Sequence, residues 1–350
     1  MFTGFIGTYT QEGAKGQGIY SFAFDPLTAS VHDLKLAFHA INPSYLVVSP
    51  SKRFLFAALE SENGSVCAFA LHKGSLELLN TQSSRGNAPC HLALSPDERF
   101  LIVSNYGSAT IALLPIAEDG SLSQAVQTIS LSGCGPHKMR QESAHAHSCT
   151  FSPDGNFVFA CDLGSDRVIV YRFERSLGRL IPTTQYSSQA GAGPRHMIFS
   201  PDGTNAYVAN ELASTVDLIA AQGPGAPSLR QRLSTVPKGF SADNTAAAIK
   251  LSVDGKYLYV SNRGHDSIAV YAVQSDATLD FIAATLAGGK TPRDFAVDPS
   301  GAFLLVCHQD SDTMAVFSRD EYGLLHHRAT YSLPSGVCIL CADLEANNWC

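Results

Sequence analysis

The sequence is poor in charge, nearly free of tryptophan and without a long apolar run. Charged residues fill 16% of 350 positions against 45% for hydrophobic ones. That balance excludes a disordered chain and calls for a well-filled core. A formal net charge of −7 and a pI of about 5.9 argue against nucleic acid or a polybasic membrane contact, while leaving room for a local basic pocket. Apolar runs end after a few residues, so no segment is long enough to span a bilayer. The start, Met1-Phe-Thr-Gly-Phe5, shows no basic stretch followed by an apolar one, and the cytoplasm is the expected location. No sustained 3.6-residue apolar period competes with the strand pattern described next.

Cysteine offers no framework either. Nine are present, Cys67, Cys90, Cys134, Cys149, Cys161, Cys307, Cys338, Cys341 and Cys350, an odd number and mostly irregularly spaced. Reduced, semi-buried thiols fit better than disulfides. Cys338-Ile-Leu-Cys341 has metal or redox spacing but lies in an apolar run, and no second such pair completes a zinc site. Two core-strand cysteines are expected.

What the chain does have is a repeat. A short apolar run, a Ser-Pro-Asp-Gly-like turn, an aromatic and a second apolar run recur along it. Clear copies are Cys149-Thr-Phe-Ser-Pro-Asp-Gly155 and His196-Met-Ile-Phe-Ser-Pro-Asp-Gly203. The turns at 50, 96, 153, 201, 253 and 299 are 46, 57, 48, 52 and 46 residues apart. In the copy at His196, strands are predicted at 196–200, 205–210 and 216–221, with a fourth after Pro227. Four strands in just under fifty residues make one propeller blade. Six copies are complete. Strands near 2–8, 18–25 and 32–38, with one near 336–343, predict a seventh blade closed by both chain ends. The expected fold is therefore all-β: a single-domain seven-bladed β-propeller of four antiparallel strands per blade, whose closure protects its open edges. A WD-type scaffold is excluded because the single tryptophan, Trp349, stands at the extreme end. Kelch-type glycine pairs with a following aromatic set are absent too.

The loop phrases narrow the choice. Gly7-Thr-Tyr-Thr10, Asn42-Pro-Ser-Tyr45, Gln141-Glu-Ser-Ala-His-Ala-His147, Asp162-Leu-Gly164, Gly193-Pro-Arg-His196, Asn210-Glu-Leu212, Gly239-Phe-Ser-Ala-Asp-Asn-Thr245, Ser261-Asn-Arg-Gly-His-Asp266, Gly289-Lys-Thr-Pro-Arg293 and Gln309-Asp-Ser-Asp312 run in order along nearly the whole chain. In these phrases the sequence resembles the seven-bladed lactonase family, best known for 6-phosphogluconolactonase. The resemblance implies a hydrolase opening a sugar lactone, 6-phosphoglucono-1,5-lactone of the pentose phosphate pathway first. The family also includes fungal muconate-lactonising cyclases, and a non-enzymatic propeller used as a binding module stays open as well.

In a propeller the loop leading into the first strand and the loop joining the second and third strands share a face. The candidates on that face are His145, His147, Arg195, Arg293, Glu211, Arg263 and His265. Arginine presents a planar fork suited to carboxylate or phosphate, which points to an anion site. The roles expected from the resemblance are catalytic for His147, Glu211, Arg195 and Arg263. His147 or Glu211 would activate water, and Arg195 or Arg263 would steady the oxyanion. His145, His196, His265, Arg293 and Asp162 are expected to bind substrate, with Asn105, Asn262 and His308 as further contacts for polyol hydroxyls. Only one of His145 and His147 is expected to face the site, and His147 is preferred.

One position departs from the family pattern: Ala248 stands where an acid is usual. No cofactor and no obligatory metal are expected, because the arginine-rich loops would repel an uncompensated divalent ion. A phosphate-binding glycine loop and a Gly-x-Ser-x-Gly elbow are both missing, and Gly191-Ala-Gly-Pro194 reads as a tight turn. The expected partner is a small phosphorylated or carboxylated lactone, with no nucleic acid and no membrane, bound by a monomer or weak homo-oligomer.

Overall fold

The computed structural model describes residues 1–72, 75–221 and 226–344; Trp349 and Cys350 lie outside them. The described residues form strands and no helix. The strands make seven four-stranded antiparallel sheets, the blades of a β-propeller. Six of them open with the first strands Pro43–Val48, Pro89–Leu94, Ala146–Phe151, Pro194–Phe199, Thr245–Leu251 and Pro292–Val297. In the remaining sheet Gly336–Ala342 pairs with Phe2–Thr8, followed by Gly18–Asp25 and Ser30–His39, the closure by both chain ends that the sequence predicts. Cys338 and Cys341 lie in the closing strand as free thiols. Three positions apart, they point to opposite faces of the sheet.

By contacts the chain divides into two compact units. One holds Met1–Leu46, Leu71–Glu77 and the chain from Thr235; the other holds Val47–Ala70 and Leu78–Ser234. Each is built by blade-on-blade packing. In the second unit Phe100, Ile102 and Leu113 pack with Val158, Tyr171 and Leu180, and Phe159 and Val168 pack with Met197, Phe199 and Val208. In the first, Tyr259 and Val270 pack with Phe295, Leu304 and Phe317. A blade with neighbours on both faces needs strands without a polar side, and Phe100–Asn105 is buried at every position. Each fully buried leucine or phenylalanine contributes about 1.5–3 kcal/mol.

The repeated turns are locked by their own side chains. Ser200 Oγ donates to Asp202 Oδ1 at 2.5 Å and accepts the Asn205 amide at 3.0 Å, while Asp202 Oδ1 accepts the Thr204 amide at 3.0 Å. Gly203 completes the turn at φ +69°, where a side chain would be strained. The same lock joins Ser152 to Asp154 and Ser252 to Asp254. The Ser200 and Thr204 bonds hold the Asp202 carboxyl below its ordinary pKa; at Asp154 and Asp254 desolvation pulls upward and similar bonds outweigh it. A depressed carboxyl stabilises the fold above the unfolded value of about 4, and that stability is lost as pH falls through the lower folded values. Thermal melts should show Tm dropping below about pH 4, with a shallower drop in Asp202→Asn. An unchanged acid slope in that variant would place the sensitivity elsewhere.

Candidate active site

Three successive first strands of the second unit begin alike, with Pro89-Cys-His91, Ala146-His-Ser148 and Pro194-Arg-His196. In each the ladder skips one residue, passing from Pro89 to His91, from Ala146 to Ser148 and from Pro194 to His196. The skipped residues are Cys90, His147 and Arg195. Such a bulge turns a side chain out of the regular pleat and is a common way to aim it at a site.

Arg195 Nε lies 3.0 Å from Glu211 Oε2, with the two side chains 4% and 2% exposed. Glu211 directly follows the strand Asn205–Asn210, and its amide donates to the Gly193 carbonyl at 2.7 Å. That bond draws the loop before Arg195 against the loop carrying Glu211, so the two residues of one blade meet as their loop positions suggest. His147 Nε2 stands 4.0 Å from the same Glu211 oxygen. Arg195 Nη1 is 3.3 Å from His196 Nδ1 and 3.2 Å from its Nε2. The His196 ring meets those of His91 and His147 edge-on, each with centroids 5.2 Å apart.

The expected separation of His145 from His147 does not hold, since residues two positions apart share one face of a regular strand. Both rings meet Tyr106, His145 stacked at 4.3 Å and His147 edge-on at 5.7 Å. His145 precedes the strand and His147 is its bulge, so neither follows the pleat. His145 Nδ1–H donates to the Tyr106 carbonyl at 3.0 Å, and its Nε2 is 3.3 Å from Glu142.

Arg140 joins this cluster although the sequence analysis does not single it out. Its Nη2 donates to Glu211 Oε1 at 2.5 Å and to the Tyr106 hydroxyl at 3.4 Å. Burial works against the charge on Arg140, yet Glu211 and Tyr106 outweigh it and hold its pKa above the ordinary value. Burial also raises the Tyr106 pKa, so the phenol keeps its proton. With its oxygen accepting from Arg140, that proton is left to donate. The signal for Arg140 was the 57-residue step between turns, the longest of the series. The extra length is the loop 131–145 that carries it.

One buried carboxylate braces both loops. Asp166 accepts from Gln141 Nε2 at 2.7 Å, from the Gly191 amide at 2.7 Å and from the Gly193 amide at 2.8 Å. It thereby ties the neighbour of Arg140 to the turn before Arg195. An unsatisfied buried donor costs about 1–3 kcal/mol. Asp166→Ala should therefore lower Tm by several degrees and raise KM, as the two arginines lose their common anchor. Wild-type melting and kinetics in that variant would show that the brace is dispensable.

Asp162 needs a correction, and with it Asn105, Asn262 and His308. All four are fully buried and bonded to neighbouring protein groups. Asp162 Oδ1 accepts the His145 amide at 2.8 Å, and its Oδ2 engages Ser165 and, at 3.3 Å, Arg167. Asn105 Nδ2 donates to Ser84 O at 2.9 Å, Asn262 Nδ2 to Thr235 O at 2.6 Å and His308 Nε2 to Ala287 O at 2.8 Å. A polar residue at the end of a second strand fastens the adjoining loop to its blade. Asp162 thus positions His145 rather than meeting a ligand.

Over residues 3–341 the chain matches the family described as lactonase, 7-bladed beta-propeller. It belongs to that family. The enzyme is accordingly a lactonase. A Bacillus subtilis strain 168 protein named 6-phosphogluconolactonase is 36% identical over 346 residues, 97% of each chain. A Formosa agariphila protein of the same name is 33% identical over 329 residues, 90% of this chain and 92% of its own. Among solved structures, a periplasmic gluconolactonase of Pseudomonas aeruginosa superposes with a TM-score of 0.92 at 33% identity, over 98% of this chain and 99% of that one.

The lactonase's other candidates lie in its first unit. Arg263 Nη2 donates to the Ala246 carbonyl at 3.3 Å, His265 Nδ1 is 2.7 Å from Ser267 Oγ, and Arg293 stands 5.1 Å from the centre of the Tyr9 ring. Arg293 is the residue its own ladder skips, between Pro292 and Asp294, the position Arg195 holds in its blade. Ala248 is fully buried with Tyr259 and Phe295, one residue before the partner of Val260, as Asp294 is one before the partner of Val306. At that equivalent position Asp294 carries a carboxylate, 3.7 Å from Lys250 Nζ. Among the described residues no group of three or more His, Cys, Asp or Glu is arranged to hold a metal, and no helix is long and apolar enough to cross a membrane.

Proposed function

We infer that this lactonase hydrolyses a phosphorylated sugar lactone, 6-phosphoglucono-1,5-lactone, to the open-chain acid. One observation carries the inference: two guanidinium groups, one buried and one partly exposed, on a single buried carboxylate, with a histidine at its edge. Arg140 and Arg195 both engage Glu211, and His147 stands 4.0 Å from it. The cluster has one positive charge to spare, which suits an anionic ligand. The names of the Bacillus subtilis and Formosa agariphila relatives support the same substrate.

The chemistry follows from the residues. Neutral His147 takes a proton from water as the water oxygen bonds to the lactone carbonyl carbon. Arg195 faces the oxyanion that forms, a contribution of about 10²–10³ in rate. Glu211 steadies the imidazolium and orients Arg195. When the intermediate collapses, the ring C–O bond breaks and the leaving alkoxide takes the proton back from His147, which closes the cycle. A six-membered lactone is already activated, so no covalent nucleophile is required. The pentose phosphate pathway and the cytoplasm go with a phosphorylated substrate.

The test is turnover of freshly generated 6-phosphogluconolactone by the purified enzyme, with glucono-1,5-lactone alongside. A rate well above spontaneous opening, and above that for the plain lactone, is expected. A rate equal to spontaneous opening would sink the assignment. Thermal stabilisation by muconate-type diacids in place of 6-phosphogluconate would then favour the cyclase chemistry.

A further inference from the structure

Arg140 is held differently from Arg195. Its side chain is 37% exposed, against 4% for Arg195 and 2% for Glu211. Its Nη2 is spent on Glu211 Oε1 and the Tyr106 hydroxyl. Its Nε and Nη1 have no protein partner among the described residues. A guanidinium carries five N–H donors, so the outward side of this one is a preformed, half-desolvated receptor for an acceptor oxygen. The group does not swing freely. The adjacent Gln141 is fully buried, and its Nε2 donates to Leu163 O at 2.9 Å and to Asp166. The neighbouring carboxylate, Glu142, stands 3.3 Å from His145 Nε2.

We propose that Arg140 is a specificity-determining residue: it binds an anionic group carried by the lactone away from its carbonyl, and that binding speeds ring opening. The identity of the anion as phosphate rests on the phosphorylated-lactone assignment above. The coupling runs through Glu211. Its Oε1 is held by Arg140, while its Oε2 holds Arg195 and faces His147. An anion on the outer side of Arg140 competes for the guanidinium's charge. More of the carboxylate's charge is then available to Arg195 and to the imidazolium that forms on His147. Binding energy from a remote part of the substrate is thereby expressed in kcat.

The experiment supplies the anion separately. Hydrolysis of glucono-1,5-lactone, which lacks a phosphate, is followed with and without inorganic phosphite, against enzyme-free controls. In the wild-type enzyme phosphite should raise kcat/KM at least about fivefold. Arg140→Met should abolish that response and lower kcat/KM for 6-phosphogluconolactone at least about tenfold more than for the plain lactone. Arg140→Lys, which keeps the charge without the fork, should retain part of the response and serves if the methionine variant folds poorly. No response in the wild-type enzyme, or equal losses on both lactones in the variants, would reduce Arg140 to a structural partner of Glu211. The two claims separate cleanly. A wild-type enzyme that ignores 6-phosphogluconolactone overturns the substrate assignment. An Arg140-dependent phosphite response on the plain lactone would still uphold the proposal.

Discussion

Arg195→Ala should lower kcat/KM at least about a hundredfold, the usual loss when a donor to a developing oxyanion is removed. Stability should change much less. Glu211 keeps Arg140 on its other oxygen, 2.5 Å away, so the buried carboxylate is not left uncompensated. Arg195→Lys should rescue little. Arg195 uses Nε on Glu211 and Nη1 beside His196, and a lysine has one nitrogen for two directions. Steady-state kinetics with a thermal melt of the same preparation decides the point. Near-normal activity with a large loss of Tm would make Arg195 a structural arginine and misplace the site.

Glu211→Gln should be damaging in both measurements. It removes the one carboxylate that two guanidinium groups share and leaves Arg195, 4% exposed, with its charge uncompensated. Breaking a buried pair in this way costs about 3–5 kcal/mol. The upper part of that range is not expected, because Arg140 is 37% exposed and its charge can turn toward water. His147 loses the carboxylate that steadies its protonated form, so kcat should fall at least about a hundredfold as well. Asymmetry is the signature of two arginines on one acid: losing an arginine harms chemistry, and losing the acid harms chemistry and fold together. Comparable melting temperatures for Glu211→Gln and Arg195→Ala would contradict it.

The repeat made the fold legible. Ser-Pro-Asp-Gly-like turns at near-regular spacing mark the first hairpin of six blades, and the turn chemistry is local: Ser200, Asp202 and Gly203 need only each other and the next strand. The closing strand Gly336–Ala342 was legible too, because the chain's first strands lacked a partner in their own repeat. The loop phrases of the family resemblance picked out Arg195 and Glu211, and blade geometry put them side by side. What the sequence could not carry was the direction a bulge gives a side chain, or the place of a residue in a loop of unique length. The bulge takes His147 out of the regular pleat, and nothing local in Ala146-His-Ser148 announces it. Arg140 sits in a stretch without repeat, so no register places it. Asp162 and Asn262 look like ligand groups in a list of polar loop residues, and only their full burial and their bonds to the backbone show that they are fasteners.

The central claim is that Arg195 and Glu211 act as one unit on the lactone carbonyl. A double-mutant cycle in kcat/KM between Arg195→Ala and Glu211→Gln tests it most directly, with each variant confirmed to be folded at the assay temperature. The account predicts strong non-additivity: the double variant should be no worse than the poorer single one, since either change already dismantles the unit. Losses that multiply, each substitution costing as much in the presence of the other as alone, would show two independent contributions and contradict it.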